Sequence, residues 1–389
     1  MKFIDICSGI GGFRTALERH GHECVAFAEI DKFAKQSYRA IYDTENEEEL
    51  DDITSVADEH FRRYREQVDI ITGGFPCQTF SIAGNRRGFE DTRGTIFFHI
   101  ARAIKEIQPS YVLLENVKGL LSHDKGRTYG TIVQALDELG YFVEWGLFNS
   151  KYWGVPQNRE RVYILVTRKD VFKGPKLFNL LKKQTTVDTC LVDILEKDVD
   201  ESYYLSEEKT RKLTLNEDLS GRLNQYDFAE RDRIHSVNKV SPTLNTMQGG
   251  DRQPKVAISK NAPHPERKSF TSKKEYGRMG KQAIETMNKN TEYIEYGMTI
   301  NAYNKTLDNT GLSPTLTTRP EGFKTAILPI TKELRIRKLT PLECWRLQGF
   351  SDEQYYKAKN SGVSKSQLYK QAGNAVTVNV VDAIVGVIE

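Results

Sequence analysis

Residues 3–13 read FIDICSGIGGF and decide the fold of this chain. The short apolar run at residues 3–7 predicts a buried strand, and the glycines that follow predict a turn into a helix. A glycine turn between a strand and a helix lets a ligand approach the backbone at the helix N-terminus. The stretch therefore predicts a nucleotide-like cofactor at the first strand of an α/β sheet, although such turns also occur without a ligand.

The ligand expected at this turn is an adenosine cofactor without a pyrophosphate. A dinucleotide-binding turn would carry a third glycine at position 14, where this chain has Arg14. The second predicted strand ends at Glu29, whose carboxylate is placed to bind both ribose hydroxyls. Asp52 and Ile53 follow in a later loop that can face an adenine edge.

Outward from this turn, residues 1–167 alternate short apolar runs with helical patterns, which predicts a parallel sheet covered by helices. The predicted strands cover residues 3–7, 24–29, 68–72, 111–115, 142–147 and 162–167, and the predicted helices 12–20, 32–41, 95–107 and 128–139. Farther along, residues 340–343 read as a capping box that opens a helix, and residues 376–388 predict a buried last helix. The expected fold class is α/β, a doubly wound, mostly parallel sheet with a second, less regular lobe.

Composition excludes several classes of protein. The 389 residues are 28% charged and 38% hydrophobic, which is unlike a disordered or fibrous chain. The five cysteines are widely spaced without a C-x-x-C pair, so they support neither a disulfide framework nor a cysteine zinc site, and a reducing compartment fits best. No apolar run reaches the ~18 residues that a membrane span requires, so we expect a cytoplasmic protein.

Charge is concentrated in one part of the chain. Residues 251–346 carry a net charge of +8, whereas the whole chain carries +3. This basic segment fits a polyanion-binding lobe and equally fits a solvated lysine-rich surface. The same region contains two similar stretches, residues 240–246 and 312–318, which are either duplicated recognition loops or two similar β-edges that begin at proline.

Two chemically active side chains follow neighbouring predicted strands. Pro76 and Cys77 come after the strand at 68–72, in a glycine-rich context that favours a presented thiol over a packed one. Glu115 ends the strand at 111–115, so a thiol and a carboxyl group should meet at one edge of the sheet. A cysteine hydrolase would need a histidine base, and none of the seven histidines lies at a strand end in such a context.

Basic side chains flank this predicted site. Arg159 and Arg161 lie two residues apart before the strand at 162–167, where they would bind substrate or form salt bridges at a surface edge. The segment from Ser81 to Thr95 contains Arg86, Arg87 and Arg93 among glycines. This composition predicts a loop that closes over a phosphate backbone, with an exposed basic loop as the alternative.

Six stretches, taken in order, resemble the motif set of the DNA (cytosine-5) methyltransferases of bacterial and phage restriction–modification type. They are Asp5–Phe13, Gly74–Gln78, Glu115–Val117, Gln157–Arg161, Arg337–Phe350 and Gly373–Val376. The resemblance covers residues 1–168 and 335–389, at both ends of the chain. It implies a methyltransferase variant of the doubly wound sheet, S-adenosyl-L-methionine as cofactor and double-stranded DNA as partner.

The resemblance also implies a role for each matching residue. The implied catalytic residues are Cys77, Glu115, Arg159 and Arg161, and no metal is expected. The implied cofactor-binding residues are Cys7, Ser8, Gly9, Gly11, Gly12, Phe13, Glu29, Ile30, Asp52, Ile53, Pro76, Asn374, Ala375 and Val376. The implied DNA-binding residues are Gln78, Ser81, Arg86, Arg87, Arg93, Thr243 and Thr315.

The implied organisation has four parts: a catalytic and cofactor-binding domain over residues 1–175, a target-recognition lobe over 176–334, a hinge and connecting helix over 335–372, and a C-terminal helix over 373–389 that returns to the catalytic domain. The implied function is methylation of C5 of a flipped-out cytosine in a specific sequence, a CCNGG-type site, which protects DNA from a cognate restriction endonuclease. We expect a monomer that forms no stable complex with the endonuclease and binds no membrane.

The chain departs from the family pattern at three positions: Cys7 replaces a usual phenylalanine, Ile30 a common tryptophan and Ala375 a usual serine. Three other functions are weighed against the resemblance. A tRNA cytosine-5 methyltransferase shares the motifs, but the long middle segment favours recognition of a sequence in double-stranded DNA. Arg14 disfavours a nicotinamide dehydrogenase, and intact Cys77 and Glu115 disfavour a non-catalytic DNA-binding protein.

Overall fold

The structure is a computed structural model that describes most of the chain and divides into two units. The described residues are 1–76, 96–216, 218–227, 229–246, 252–259, 299–301, 306–308, 327–329 and 334–388. Unit 1 comprises Met1–Leu195, Asn238–Pro254 and Leu339–Glu389. Unit 2 comprises Glu196–Val237 and Lys255–Lys338.

Unit 1 is built on a seven-stranded sheet in the order β3-β2-β1-β4-β5-β7-β6. Its strands are β1 (Lys2–Ile6), β2 (Glu23–Ala28), β3 (Glu48–Glu49), β4 (Ile70–Gly74), β5 (Tyr111–Val117), β6 (Tyr141–Asn149) and β7 (Glu160–Arg168). The pairs from β3 through β5 are parallel, which confirms the mostly parallel α/β sheet.

Strand β7 is the exception to the predicted parallel arrangement. It runs antiparallel to both β5 and β6. The reason is the link from Asn149 to Glu160, which is too short for the crossover of a dozen or more residues that a parallel partner requires. The apolar pattern predicts this strand correctly but carries no information about its direction.

Helices cover this sheet, and four of them match the four predicted segments closely, whereas α3 and α6 are not among the predicted segments. Those of the first part are α1 (Gly12–Arg19), α2 (Lys32–Ile41), α3 (Asp58–Arg62), α4 (Ile96–Ile107), α5 (Arg127–Glu138) and α6 (Leu177–Leu181). Side chains of β1, β4, β5 and β7 form one buried core with side chains of α4 and α5, including Ile4, Ile71 and Ile104. This core fixes the strand ends from which the site is built.

Four helices complete unit 1. They are α9 (Pro341–Arg346), α10 (Asp352–Asn360), α11 (Lys365–Asn374) and α12 (Val378–Val385). The two helices that precede them in the chain, α7 (Glu207–Thr210) and α8 (Ala229–Asp232), belong to unit 2. The predicted capping box is confirmed, because the Glu343 amide donates to Thr340 Oγ1 at 3.2 Å and the Thr340 amide donates to Glu343 Oε2 at 2.8 Å. Helix α12 packs against α1.

The last helix begins two residues later than the sequence predicts. Ala375 has extended backbone angles of φ −64° and ψ 150°, so the chain leaves α11 before α12 begins at Val378. This extended link brings Val376 against Gly12, where an added Cβ would lie 2.5 Å from Val376 Cγ2. A glycine at position 12 is therefore required for the approach.

The described residues of unit 2 form short strands and two short α-helices. A five-stranded sheet has the order β15-β11-β10-β9-β8, and a three-stranded sheet has the order β13-β12-β14. The strands are β8 (Thr214–Leu215), β9 (Gly221–Arg222), β10 (Arg233–His235), β11 (Lys255–Ser259), β12 (Thr299–Asn301), β13 (Thr306–Asp308), β14 (Ile327–Pro329) and β15 (Leu334–Lys338). No helix among the described residues has the length and hydropathy needed to cross a membrane.

Candidate active site

A pocket of about 530 Å³ lies in unit 1 where the strands β1, β2, β4 and β5 reach their carboxyl ends. Ten of the predicted cofactor residues line it: Cys7, Ser8, Gly9, Gly12, Phe13, Glu29, Pro76, Asn374, Ala375 and Val376. Gly11, Ile30, Asp52 and Ile53 are outside its lining. Carboxyl strand ends of an open α/β sheet are the usual place for a ligand.

The turn after β1 has the backbone that its glycines allow. Gly9 and Gly11 have φ angles of 57° and 80°, and Cys7 reaches 53°, which is unusual for a residue with a side chain. A Cβ on Gly11 would lie 2.4 Å from the ring of Tyr42. Backbone strain at Cys7 and close packing at Gly11 together hold the turn in one conformation.

The carboxylate of Glu29 is fixed at the pocket by two backbone donors. The Gly9 amide donates to its Oε2 and the Asp31 amide to its Oε1, each at 2.8 Å. Each carboxylate oxygen keeps capacity to accept another hydrogen bond. The next residue, Ile30, is 72% exposed although its side chain is apolar.

Ser8 presents a polar atom that its surroundings leave unused. Its residue is 6% exposed, and its hydroxyl has no hydrogen-bond partner among the described residues. Buried hydroxyl groups are normally bonded, because an unpaired one loses its hydration without compensation. A polar ligand in the pocket would supply the missing partner.

The predicted adenine-edge loop shows ordinary turn geometry. Asp52 Oδ1 accepts from the Thr54 amide at 2.9 Å, and hydrogen bonds from Thr54 lower the pKa of Asp52. Ile53 is buried, with 4% of its surface exposed. Neither residue lines the pocket.

The buried Glu115, near the end of β5, forms an ion pair with the partly buried Arg161. Arg161 Nε lies 3.0 Å from Glu115 Oε1. Burial raises the pKa of Glu115, and the charges of Arg161 and Arg159 oppose that rise. The side chain therefore holds a proton to higher pH than a solvated glutamate and can donate a hydrogen bond when protonated.

The neighbouring residue Asn116 connects two strand ends. Its Nδ2 donates to the carbonyl oxygen of Phe75 at 2.7 Å, just before Pro76. This bond fixes the backbone that leads into residue 77 relative to Glu115. The predicted nucleophile Cys77 lies outside the described residues.

Arg159 is buried in unit 1, whereas the sequence predicts that it binds substrate or forms a salt bridge at a surface edge. It is 2% exposed, and its two terminal nitrogens donate to the carbonyl oxygens of Leu244, Gly373 and Ala375. Burial, followed by the neighbouring charge of Arg161, lowers the pKa of Arg159 to about 10. The side chain stays cationic at neutral pH, and it is one of the residues that line the pocket.

Of the predicted DNA-binding residues, the structure describes Thr243. Its hydroxyl donates to the carbonyl oxygen of Asn158 at 2.6 Å. Gln78, Ser81, Arg86, Arg87, Arg93 and Thr315 lie outside the described residues. In the part of the chain that is described, no group of three or more His, Cys, Asp or Glu residues is placed to hold a metal ion.

Sequence reasoning missed a polar connection beside the pocket. Lys370 Nζ lies 2.6 Å from Asp31 Oδ2, and Gln371 Nε2 donates to the Phe33 carbonyl oxygen at 2.9 Å. Asp31, Lys370 and Gln371 all line the pocket. Their place in the sequence gives a weak signal, since Asp31 follows Glu29 by two residues and Lys370 precedes Asn374 by four.

Comparison with known proteins gives a consistent result. The family model described as C-5 cytosine-specific DNA methylase matches residues 1–389. The orphan methyltransferase M.SPRI of Bacillus phage SPR is 33% identical, with 99% of this chain and 96% of the relative covered. The type II methyltransferase M.BanI of Aneurinibacillus aneurinilyticus is 32% identical, with 99% and 95% covered.

Two solved structures share the fold at low identity. The Dnmt2 methyltransferase of S. pombe has a TM-score of 0.61 and 17% identity, with 99% of this chain and 96% of that one covered. The methyltransferase EhMeth of Entamoeba histolytica has a TM-score of 0.59 and 16% identity, with 100% and 97% covered. Together these likenesses confirm the expected methyltransferase fold.

Proposed function

Because the chain belongs to the C-5 cytosine-specific DNA methylase family and is a DNA (cytosine-5) methyltransferase, we propose that it methylates a flipped-out cytosine at a specific site in double-stranded DNA. The single observation that carries this proposal is the ion pair between buried Glu115 and partly buried Arg161, beside the Asn116–Phe75 hydrogen bond. A proton-holding carboxyl group and a cation at one pocket edge are the groups that activation of a cytosine ring needs.

The proposed cofactor is S-adenosyl-L-methionine, whose use is general in this family. When bound, it supplies a methyl group on a sulfonium, the electrophile that an activated C5 requires. The donors and acceptors present fit such a ligand: Glu29 would hold the ribose hydroxyls, and the unpartnered Ser8 hydroxyl would bond a polar group. The turn from Asn374 to Val376 would close the other side of the pocket.

The proposed chemistry assigns one task to each residue. The Cys77 thiolate adds to C6 of the cytosine while protonated Glu115 donates to N3, so that C5 gains electron density. Arg161 binds the O2 atom. After transfer the C5 proton leaves to water, and the C5–C6 double bond re-forms as Cys77 is released. The base has to leave the duplex for these contacts to form.

The target and its biological purpose are proposed separately. We propose a CCNGG-type site and a methyl mark that protects DNA from a restriction endonuclease. The name of the type II relative supports this purpose, whereas the name of the orphan phage relative supports modification without an endonuclease. To test the proposed target, DNA from expressing cells is digested with endonucleases that cut CCNGG-type sites, and methylation at those sites should protect it.

The nucleophile prediction tests the function directly. The intact chain should form a covalent adduct with DNA that carries 5-fluorocytosine at the target, because fluorine cannot leave as a proton. Cys77→Ala should form none and should lose at least ~1,000-fold in methyl transfer, while it still binds DNA and cofactor. Gel mobility under denaturing conditions measures the adduct, and 5-methylcytosine sequencing of DNA from expressing cells measures the product.

A matched variant and a second substrate complete this test. Cys24→Ala alters a buried cysteine of β2 outside the pocket lining and should leave the adduct intact. Adduct formation by Cys77→Ala would contradict the assignment of the nucleophile. Transfer of labelled methyl groups to tRNA in preference to DNA would favour the tRNA methyltransferase.

A further inference from the structure

The guanidinium of Arg159 joins two segments that are far apart in the sequence. Its Nη1 donates to the Leu244 carbonyl oxygen at 3.2 Å and to the Gly373 carbonyl oxygen at 3.3 Å. Its Nη2 donates to the Ala375 carbonyl oxygen at 2.8 Å. Both terminal nitrogens are therefore committed to main-chain oxygens, two of which lie at the C-terminal end of α11, where a helix attracts a cation.

Residues 241–246, which we call the wall segment, are docked on the stretch that leads into β7. The Asn158 amide donates to the Ser241 carbonyl oxygen at 2.8 Å, and the Ser241 amide donates to the Pro156 carbonyl oxygen at 2.7 Å. The Thr243 hydroxyl adds the bond to Asn158 described above. Arg159 thus follows directly after the residues that pair with the wall segment.

The far end of the wall segment lies against the pocket rim. A Cβ on Gly373 would be 2.1 Å from the Asn245 carbonyl oxygen and 2.9 Å from the Thr246 Cα. Real Cβ atoms do not approach backbone this closely, so a glycine is required at position 373. Gly373, Asn374, Ala375 and Val376 all line the pocket.

We propose that Arg159 is a positioning residue that holds the wall segment and residues 373–376 as one rigid side of the pocket. On the proposed function, on which this inference rests, that side places the DNA strand bearing the target cytosine in register with the cofactor. Thr246 is exposed and supplies a hydroxyl that suits contacts with a nucleic-acid backbone. Arg161, two residues later, is the arginine that pairs with Glu115.

Amide hydrogen exchange of the full chain tests the positioning role without DNA or cofactor. Arg159→Met should speed exchange at least ~10-fold in peptides covering residues 238–246 and 372–378, because it removes all three charged hydrogen bonds. Arg159→Lys keeps the charge but loses the planar fork, so it should restore part of the protection. Unchanged exchange in both peptides of Arg159→Met would overturn the proposal.

Kinetics separate positioning from direct contact with the base. Arg159→Met should raise KM for both DNA and S-adenosylmethionine by roughly 10- to 100-fold, with Arg159→Lys in between. If both variants keep the KM values of the intact chain and lose only the single-turnover rate, Arg159 acts on the cytosine and the proposal fails. Hydrogen exchange is measured without substrates. If the intact chain transfers no methyl group, the proposed function is contradicted, but the positioning role of Arg159 can still be confirmed by exchange.

Two glycine substitutions provide an independent pair. Gly373→Ala should speed exchange in residues 238–246 and raise KM for DNA, because its methyl group meets the Asn245 carbonyl oxygen. Gly130→Ala is the matched control, since Gly130 also lies in a helix and an added Cβ there meets nothing within 4 Å. Equal behaviour of the two variants would overturn the close approach on which the rigid side depends.

Discussion

At the residue scale, Asp5 of β1 is a buried carboxyl group that has a raised pKa and no role in the proposed chemistry. It is completely buried, and it accepts a hydrogen bond from Thr72 Oγ1 at 2.8 Å. Burial is the largest influence and raises the pKa of Asp5 from 3.8 to about 7, against the bond from Thr72 and the charge of Arg14. The folded chain therefore favours the protonated form of Asp5.

This shift predicts a pH dependence of stability. The contribution of neutral Asp5 is fully present below its unfolded pKa of 3.8 and is lost as the pH rises through about 7. Asp5→Asn cannot ionise, so between pH 5.5 and 8 the intact chain should lose about 2 kcal/mol of unfolding free energy relative to the variant. Urea unfolding of both proteins at the two pH values measures this, and a difference independent of pH would contradict it.

Ile30 gives a second prediction at this scale. It is 72% exposed beside Glu29, and it is one of the three positions at which the sequence departs from the pattern that it resembles. Ile30→Trp should tighten S-adenosylmethionine binding, because a ring stacked on adenine adds ~0.5–1.5 kcal/mol beyond area burial. Calorimetry measures the affinity, with Ile30→Ala as the control for loss of the aliphatic contact. Weaker binding by the tryptophan variant would indicate that another group already occupies the adenine face.

At the element scale, Asp31 has two structural roles at the start of α2. Its Oδ1 accepts from the Phe33 amide at 2.9 Å and from the Ala34 amide at 3.2 Å, which caps the helix. Its Oδ2 pairs with Lys370 of α11. One carboxylate thus begins a helix and joins it to a second helix beside the pocket.

Two substitutions at Asp31 separate these roles. Asp31→Asn keeps a good capping residue and loses the ion pair, which is partly exposed and worth ~0–1 kcal/mol. Asp31→Ala loses the cap as well and should cost about 1 kcal/mol more. Urea unfolding compares the variants, and Lys370→Met in the Asp31→Asn background should add little. A large further loss in that double variant would show that Lys370 has another essential partner.

At the scale of the whole molecule, the division into units predicts which residues carry target specificity. The structure groups residues 238–254 with unit 1, although the sequence pattern places residue 241 in the recognition lobe. The hydrogen bonds of Ser241 to residues 156 and 158 explain this grouping. We therefore expect a graft that leaves this segment in place to preserve the pocket.

The corresponding experiment replaces Glu196–Val237 and Lys255–Lys338 by the equivalent residues of a relative with a known target. The chimera should methylate the relative's sequence at a rate within ~10-fold of the intact chain, because Glu115, Arg159 and Arg161 stay in their own surroundings. Sequencing of 5-methylcytosine identifies the site. Retention of the original target by an active chimera would place recognition outside unit 2.

The sequence by itself determined most local elements of unit 1 and which strand ends carry polar side chains. Helix α2 spans the predicted residues 32–41, and the capping box at Thr340 is formed as predicted, because hydrogen bonds and apolar spacing within a few residues suffice for both. Glu29 directly follows β2, Glu115 lies near the end of β5, and both line one pocket. They do so because parallel strands place their carboxyl ends at the same edge of the sheet.

Tertiary structure alone decided the direction of β7, the placement of residues 238–254 and the partners of Arg159. The apolar pattern of β7 is identical for parallel and antiparallel pairing, and the choice depends on how the chain returns from β6. Arg159 is separated from Leu244 by 85 positions and from Ala375 by 216. A guanidinium that binds carbonyl oxygens has no signature in neighbouring residues, because every residue carries a carbonyl group. Its partners are therefore set only when packing brings those backbones together.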